Sequence, residues 1–245
     1  MEKIFGLPST VLEQMTHQFC PGCGHGIVDS LLMHELEEMG VKENTAIVWP
    51  VGCSPMAGSV STINQVSAAH GRAAAVATGL KRSSKDTFVI CYQGDGDLAA
   101  IGTAETIHAA NRGENITVIF GNNSIYGMTG GQMAPTTMLG QLSTTTQSGR
   151  NSEQHGNPIR MAEIIAGLEA PKFVARYSVH DAKHVMQTKQ GIKKALEVNK
   201  NGGYSFIEVV TMCPTGWKMT PEQSVKKIVE ENLKVFPLGV LKEVD

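Results

Sequence analysis

Apolar positions along this chain alternate between a helical and a strand period. Gly26–Met39 carries Ile27, Val28, Leu31, Leu32 and Leu36 on one helical face, and Gly40 ends it. Thr45–Trp49 is a short continuous apolar run, the pattern of a buried strand, and it leads into Pro50-Val51-Gly52-Cys53. Gly71–Lys81 is a helix of small residues, suited to close packing on a sheet. Thr87–Tyr92 and Ile116–Phe120 are two further apolar strands, with the alanine-rich helix Leu98–Asn111 between them. Further along, the pattern predicts helix Pro158–Leu168, strand Lys172–Val179, helix Ala182–Asn199, strand Tyr204–Val210 and helix Pro221–Glu231. Such alternation predicts an α/β fold with a doubly wound, mostly parallel sheet. No repeat or low-complexity linker divides the chain, so residues 1–245 are expected to form one domain. It would have an extended N-terminal arm over 1–19 and a C-terminal helix and tail over 221–245. Residues 127–157 have no clear period and many Gly, Thr and Gln. A loop of that length in a compact domain is usually functional or a partner contact.

Composition narrows the classes. The 245 residues are 41% hydrophobic and 18% charged, with a formal net charge of −2. That leaves ample core and gives no support for nucleic-acid binding. No apolar stretch reaches the roughly 18 residues needed to span a bilayer, and the first residues lack the apolar core of a signal peptide. A cytoplasmic protein without membrane association is expected, and its five cysteines argue against a disulfide framework.

Candidate chemistry is concentrated where strands end. Gly94-Asp95-Gly96-Asp97 closes one apolar strand, and Asn122-Asn123 closes the next, with Asn123 lying 28 positions after Asp95. A hard cation such as Mg²⁺ takes oxygen ligands, few from side chains and the rest from phosphates and water. Asp95 and Asn123 fall at the carboxyl ends of strands, where open α/β sheets bind ligands. The glycines beside Asp95 let a diphosphate approach the backbone. Isolated Gly-Asp-Gly turns are common, but with the paired asparagines at this distance the unit resembles the thiamine diphosphate motif. Asp97 suits either diphosphate contact through its backbone or the cap of the following helix, with the cap favoured.

Cys20-Pro21-Gly22-Cys23 is a CxxC, and Cys53 and Cys213 each follow a predicted strand. Four thiolates converging from loops suit structural Zn²⁺ or a [4Fe–4S] cluster. Read alone, they could also be incidental buried thiols, and the CxxC a redox pair. Cys91, within an apolar strand, reads as a core thiol.

These motifs occur in order with Phe19-Cys20-Pro21-Gly22-Cys23-Gly24-His25, Val51-Gly52-Cys53, Ala69-His70-Gly71-Arg72-Ala73 and Tyr126-Gly127-Met128-Thr129-Gly130-Gly131-Gln132. Together they resemble the β subunit of a 2-oxoacid:ferredoxin oxidoreductase over roughly residues 17–218. The similarity is greatest to the short β subunits of the branched-chain 2-oxoacid (2-ketoisovalerate) and 2-oxoglutarate enzymes. The resemblance implies thiamine diphosphate, with Mg²⁺ on Asp95, Asn123 and the Ile125 carbonyl, and a [4Fe–4S] cluster on Cys20, Cys23, Cys53 and Cys213. It implies a cofactor pocket of Gly52, Cys53, His70, Gly94, Asp95, Gly96, Asp97, Asn123, Ile125, Tyr126, Gly127, Met128 and Thr129. His70 is the catalytic candidate, and a helix-start cap is its simpler alternative, as it is for His25. The implied reaction is oxidative decarboxylation of a 2-oxoacid to acyl-CoA and CO₂, with coenzyme A as co-substrate and electrons passing singly through the cluster to ferredoxin. A non-redox thiamine decarboxylase or synthase is the alternative, but it would not need the four cysteines.

Thiamine enzymes also use a glutamate from a pyrimidine-binding domain, which this chain lacks by resemblance; Glu105 reads as a surface or packing residue. An α or αγ subunit, a small ferredoxin-like subunit and ferredoxin are the implied partners, with residues 1–19 and the Met128–Asn157 loop as candidate contacts. Residues 130–137 are expected to shape the pocket. Some relatives carry a lysine where this chain has Gly130, so the loop assigns no substrate. Arg72, Arg150 and Arg160 are candidates for a distal substrate carboxylate, with surface or capping roles as the simpler reading.

Overall fold

The computed structural model describes residues 7–13 and 15–244; the first six residues of the predicted arm, Gln14 and Asp245 lie outside them. Among the described residues the strands are β1 (Thr45–Trp49), β2 (Asn64–Ser67), β3 (Phe88–Gly94), β4 (Thr117–Asn122), β5 (Phe173–Ser178), β6 (Ser205–Val210) and β7 (Gly239–Glu243). They form one sheet in the order β2-β1-β3-β4-β6-β5-β7, all parallel except β7, which runs antiparallel to β5. The helices are α1 (Gly24–Glu38), α2 (Ala73–Ser83), α3 (Thr103–Asn111), α4 (Ser152–His155), α5 (Met161–Ala166), α6 (Ala182–Lys200), α7 (Pro214–Trp217), α8 (Pro221–Lys227) and α9 (Leu233–Val235).

Strand residues alternate between two buried faces, because successive side chains on a strand point to opposite sides. Ile47, Ile90, Tyr92, Ile119, Ile207 and Val209 pack with Val28 and Leu32 of α1 and Ile192 and Leu196 of α6. Val48, Val89, Val118, Phe120 and Phe206 pack with Ala73, Ala74 and Ala77 of α2, Ala109 and Ala110 of α3, and Ile165 of α5. Each face therefore removes its apolar surface from water by being covered with helices, the arrangement that parallel sheets require.

The two strands missing from the predicted set are both at sheet edges. β2 is largely exposed and is placed by parallel pairing to β1. β7 replaces part of the expected C-terminal tail, and helix 221–231 is shorter than expected: α8 gives way to a π-helical segment, Ile228–Asn232. The helix expected over Leu98–Asn111 is interrupted as well. Asp97–Ile101 is a π-helical turn, followed by Gly102 and then α3. A Cβ on Gly102 would lie 2.3 Å from the Asp97 carbonyl oxygen and 2.7 Å from that of Gly71, so the backbone of the His70–Gly71 turn packs directly into the break.

The described part of the N-terminal arm packs on its own chain. Val11 bridges Ser61, and the buried Thr10 donates from Oγ1 to the Met33 carbonyl at 2.9 Å.

From β1 the chain winds outward to β2, then returns past β1 to β3. The reversal leaves a crevice beyond the carboxyl ends of β1 and β3. Register keeps the next strand ends level: Gly94 pairs with Gly121, and Asn122 with Val210. Among the described residues no helix is long and apolar enough to cross a membrane.

Candidate functional site

A mostly apolar cleft of about 310 Å³ occupies that crevice. All thirteen residues of the expected pocket line it, from Gly52 and Cys53 after β1, through His70 and Gly94–Asp97, to Asn123 and Ile125–Thr129. His25, Val51, Ala100 and Ile101 complete the lining.

Asp95 and Asn123 meet at the base. Asn123 donates its backbone N–H to Asp95 Oδ2 at 2.9 Å, and Thr136 Oγ1 donates to Asp95 Oδ1. Burial pushes the Asp95 carboxyl up to about 7, against the pull of those two hydrogen bonds, and the buried Glu208 raises it further. Among the described residues no lysine or arginine pairs with it. A buried carboxylate without a cationic partner, beside an amide oxygen and open to a cleft, is a donor set that fits a hard divalent cation.

Asp97 does not cap the following helix, contrary to expectation. Its Oδ1 accepts from the Gly71 N–H at 2.5 Å and faces His70 Nδ1 at 3.0 Å, while Oδ2 accepts from Gln93 Nε2 at 2.5 Å. The His70 ring is 41% exposed, so it is held from the buried side and open to the cleft. A Cβ on Gly96 would lie 3.5 Å from His70 Nε2 and 3.1 Å from the Tyr126 ring, which leaves bare backbone between these two side chains.

The four predicted cysteines come from three separate loops and converge beside the cleft. A Cβ on Gly127 would lie 3.0 Å from Cys213 Sγ and 3.8 Å from Cys53 Sγ. Cys23 and Cys20 each act electrostatically on Cys53, and Cys23 also acts on Cys213. Burial raises the Cys23 thiol, lifts Cys53 to about 11 and lifts Cys213 to about 12. A bound cation would favour the thiolate form of these cysteines. No three of the sulfurs fall within 4.8 Å of one another. Four cysteine sulfurs from three loops are a donor set that fits either a structural Zn²⁺ or an iron–sulfur cluster. Cys91 is fully buried within β3, its Sγ 3.5 Å from the Ala73 carbonyl oxygen.

His25 is more than a helix-start residue. It is 1% exposed, its Nδ1 is 2.6 Å from the Tyr92 hydroxyl, and its ring stacks on Phe19. Burial drives its pKa down to about 4, so the ring is neutral. A Cβ on Gly121 would lie 2.6 Å from His25 Cε1, so the glycine at the end of β4 makes room for the imidazole.

A second group absent from the sequence reading supports the asparagine turn from below. Arg176, fully buried in β5, forms an ion pair with Glu208 at 2.9 Å; Glu208 Oε1 accepts from Asn122 Nδ2 at 2.7 Å. Asn122 Oδ1 in turn accepts from the Ser124 N–H at 3.1 Å. Ser124 has φ +58°, a conformation that costs a non-glycine residue free energy and persists only when neighbours hold it. Thr137 Oγ1 and Gln141 Nε2 both donate to its carbonyl at 2.8 Å. Within residues 130–137, then, Thr136 bonds Asp95 directly and Thr137 supports the Ser124 turn beneath it.

Arg150 is not available to a substrate. It is 6% exposed and donates to the carbonyls of Ala134, Pro135, Thr137, His155, Gly156 and Asn157. Arg72 pairs with Glu105 at 2.6 Å on the surface, which also accounts for Glu105, and Arg160 is exposed just before α5.

A family model described as the thiamine pyrophosphate enzyme C-terminal TPP binding domain matches residues 50–209. Over 224 residues the chain is 46% identical to ketoisovalerate oxidoreductase subunit VorA of Methanothermobacter thermautotrophicus, covering 91% of this chain and 47% of VorA. It is 38% identical to 2-oxoglutarate synthase subunit KorB of Methanothermobacter marburgensis, covering 90% of this chain and 75% of KorB. A structure of 2-oxoglutarate:ferredoxin oxidoreductase from Magnetococcus marinus, with 2-oxoglutarate, coenzyme A and succinyl-CoA bound, aligns with a TM-score of 0.81 at 25% identity, over 96% of this chain and 84% of that one. The fold is that of a thiamine pyrophosphate-binding domain, and the chain belongs to the family of 2-oxoacid:ferredoxin oxidoreductase subunits that carry it. It spans about half the length of the VorA relatives it matches.

Proposed function

We propose that this chain is the catalytic, thiamine diphosphate-binding β subunit of a 2-oxoacid:ferredoxin oxidoreductase, folded as one domain. It would convert a branched-chain 2-oxoacid or 2-oxoglutarate to acyl-CoA and CO₂ and pass electrons to ferredoxin. One observation carries the proposal: the crevice lined by the oxygen donors Asp95 and Asn123 is also lined by Cys53 and Gly127, and a Cβ on Gly127 would lie 3.0 Å from the Cys213 sulfur.

Asp95 and Asn123, with the Ile125 carbonyl, would hold Mg²⁺, while Gly94 and Gly96 leave room for the diphosphate. Cys20, Cys23, Cys53 and Cys213 would hold a [4Fe–4S] cluster. When bound, the thiazolium supplies the electron sink for decarboxylation and the cluster supplies a one-electron relay. The rest of the work belongs to the chain. Asp97 accepts from His70 Nδ1, which leaves the lone pair on Nε2, toward the cleft, as the atom that takes or returns a proton. Gly127 and Gly216 let Cys213 approach the pocket: a Cβ on Gly216 would lie 2.8 Å from its sulfur. The apolar side chains of Val51, Ile101, Ile125 and Met128 line the cleft and would exclude water from the reacting carbon once a partner subunit closes it. The activating glutamate would come from the pyrimidine-binding domain of an α or αγ subunit, and a ferredoxin-like subunit would take the electrons onward.

The test is EPR spectroscopy of the anaerobically purified native complex, mixed with coenzyme A and 2-ketoisovalerate, 2-oxoglutarate or pyruvate in turn. A radical or reduced-cluster signal with one acid is expected and identifies the substrate. Silence with all three, in a preparation shown to contain thiamine diphosphate and iron, overturns the assignment to these substrates and leaves a different 2-oxoacid or a non-redox thiamine enzyme as the next candidates.

A further inference from the structure

Away from the cleft and the four cysteines, the end of β5 and the first turn of α6 bring three ligand-type side chains together. His180, Asp181 and His184 each offer an atom within 4.8 Å of the other two. His180 Nε2 lies 3.3 Å from Asp181 Oδ2, and His184 Nδ1 lies 2.8 Å from Asp181 Oδ1. The two imidazole centroids are 4.1 Å apart. A tetrahedral ion with bonds near 2.1 Å spaces its ligand atoms by about 3.4 Å, close to the 3.3 Å between His180 Nε2 and Asp181 Oδ2, with a His184 nitrogen inside the same 4.8 Å cluster.

Hydrogen bonding at Ser178 fixes which nitrogen of His180 carries the proton. Ser178 Oγ donates its single hydrogen to the Val210 carbonyl at 2.9 Å. It can therefore only accept from His180 Nδ1, 3.0 Å away. The lone pair of His180 is then on Nε2 and faces a carboxylate oxygen, so two acceptors confront each other with nothing positive between them. A cation relieves that contact while also engaging His184. The Nδ1–H to Ser178 bond is the kind of outer contact that orients histidines on metals.

We propose that His180, Asp181 and His184 form a binding site for one divalent transition ion of the Zn²⁺ class. The donor set of two imidazoles and one carboxylate selects such ions over Mg²⁺ or Ca²⁺. The positive end of α6 works against any cation here, so the two imidazole nitrogens and the Asp181 carboxylate must outweigh it. Asp181 Oδ1 caps α6 by accepting from the His184 N–H at 2.8 Å, which leaves Oδ2 for the ion. Asp181 is 49% and His184 24% exposed on their side chains, so one side of the site opens to solvent for entry and a water ligand. Bound metal would tie the end of β5 to the start of α6.

The test is titration of the full chain, in its native complex with iron content fixed, by ZnCl₂ in a calorimeter and by CoCl₂ with optical spectra. The wild-type chain is expected to bind one equivalent beyond its resident metal, with a cobalt spectrum of nitrogen and oxygen ligation. The double variant His180→Gln, His184→Gln is expected to lose that equivalent, and Lys183→Ala to keep it. Ser178→Ala is expected to retain the ligands but bind about 10- to 100-fold more weakly. The proposal is overturned if the wild-type chain takes up no additional equivalent, if the double variant binds as tightly as wild type, or if the cobalt spectrum shows thiolate ligation.

Discussion

At the residue scale, two buried acids with different surroundings lead to different expectations. Asp97 is 1% exposed and receives three donors, from Gly71, Gln93 and His70. It can orient His70 because every one of those contacts is charge-assisted on the acceptor side. His70→Gln, which cannot exchange a proton at Nε2, is expected to lower kcat by about 100-fold or more. Thiamine diphosphate content should stay unchanged, and steady-state kinetics with cofactor analysis would check both. Asp29 has no such partners. It is 6% exposed in α1, its Oδ1 lacks a hydrogen bond, and burial raises its carboxyl to about 7. Between the unfolded value of 3.8 and about 7 the native state holds a proton that the unfolded state has lost, so stability falls as pH rises through that window. The loss is on the order of 4 kcal/mol. Asp29→Asn removes the titration, so its melting temperature should exceed wild type at pH 8 and converge with it near pH 4. Thermal melts across that range test the expectation.

At the element scale, the pattern of apolar residues located what it could physically encode. β1 is Thr45–Trp49 as expected, and α6 differs from its expected range by one residue at its end, because buried runs and an Asp181 cap are local signals. β2 and β7 leave no such trace: Asn64–Ser67 and Gly239–Glu243 are mostly exposed edge strands, defined by what they pair with. The break after Asp97 is tertiary in origin, since Gly102 yields to the packed backbone of Gly71. Within the site, the glycines, acids and cysteines were legible because their chemistry is tied to residue type. His25 was readable only as a cap, since its partner Tyr92 is 67 positions away. The Arg176–Glu208–Asn122 chain was invisible for the same reason. Arg150 shows how a loop without periodicity is nonetheless fixed. Its planar fork and Nε serve carbonyls spread over residues 134–157, a geometry that lysine cannot reproduce. Arg150→Lys is expected to cost roughly 2–4 kcal/mol, to open this loop to limited proteolysis, and, through Thr136 and Thr137, to reduce cofactor retention.

At the scale of the whole molecule, the carboxyl edge of the sheet holds the oxygen-donor site and the sulfur site side by side, and the cleft between them opens outward. The long loop beside it is divided in character. Thr136, Thr137 and Met138 are buried against the chain, whereas Leu139 and Leu142 are 50% and 65% exposed. Leucines that project from a loop so firmly held add little to the stability of this chain alone, since apolar area left in water forgoes the roughly 25 cal/mol per Å² that burial would give. They suit contact with the subunit proposed to complete the site. Leu142→Arg would put a charge into that contact without disturbing anything buried, so the isolated chain should melt within about 0.5 kcal/mol of wild type. Coexpressed with its partners, the variant is expected to copurify with them at least tenfold less. Its thiamine diphosphate content should fall in parallel, because the cleft of one chain provides only part of the enclosure. Affinity capture with cofactor quantification tests this: full recovery of the partners on the variant would move the interface elsewhere, with the described N-terminal residues next in line. Loss of partners with cofactor retained would instead mean that this chain encloses the diphosphate without help.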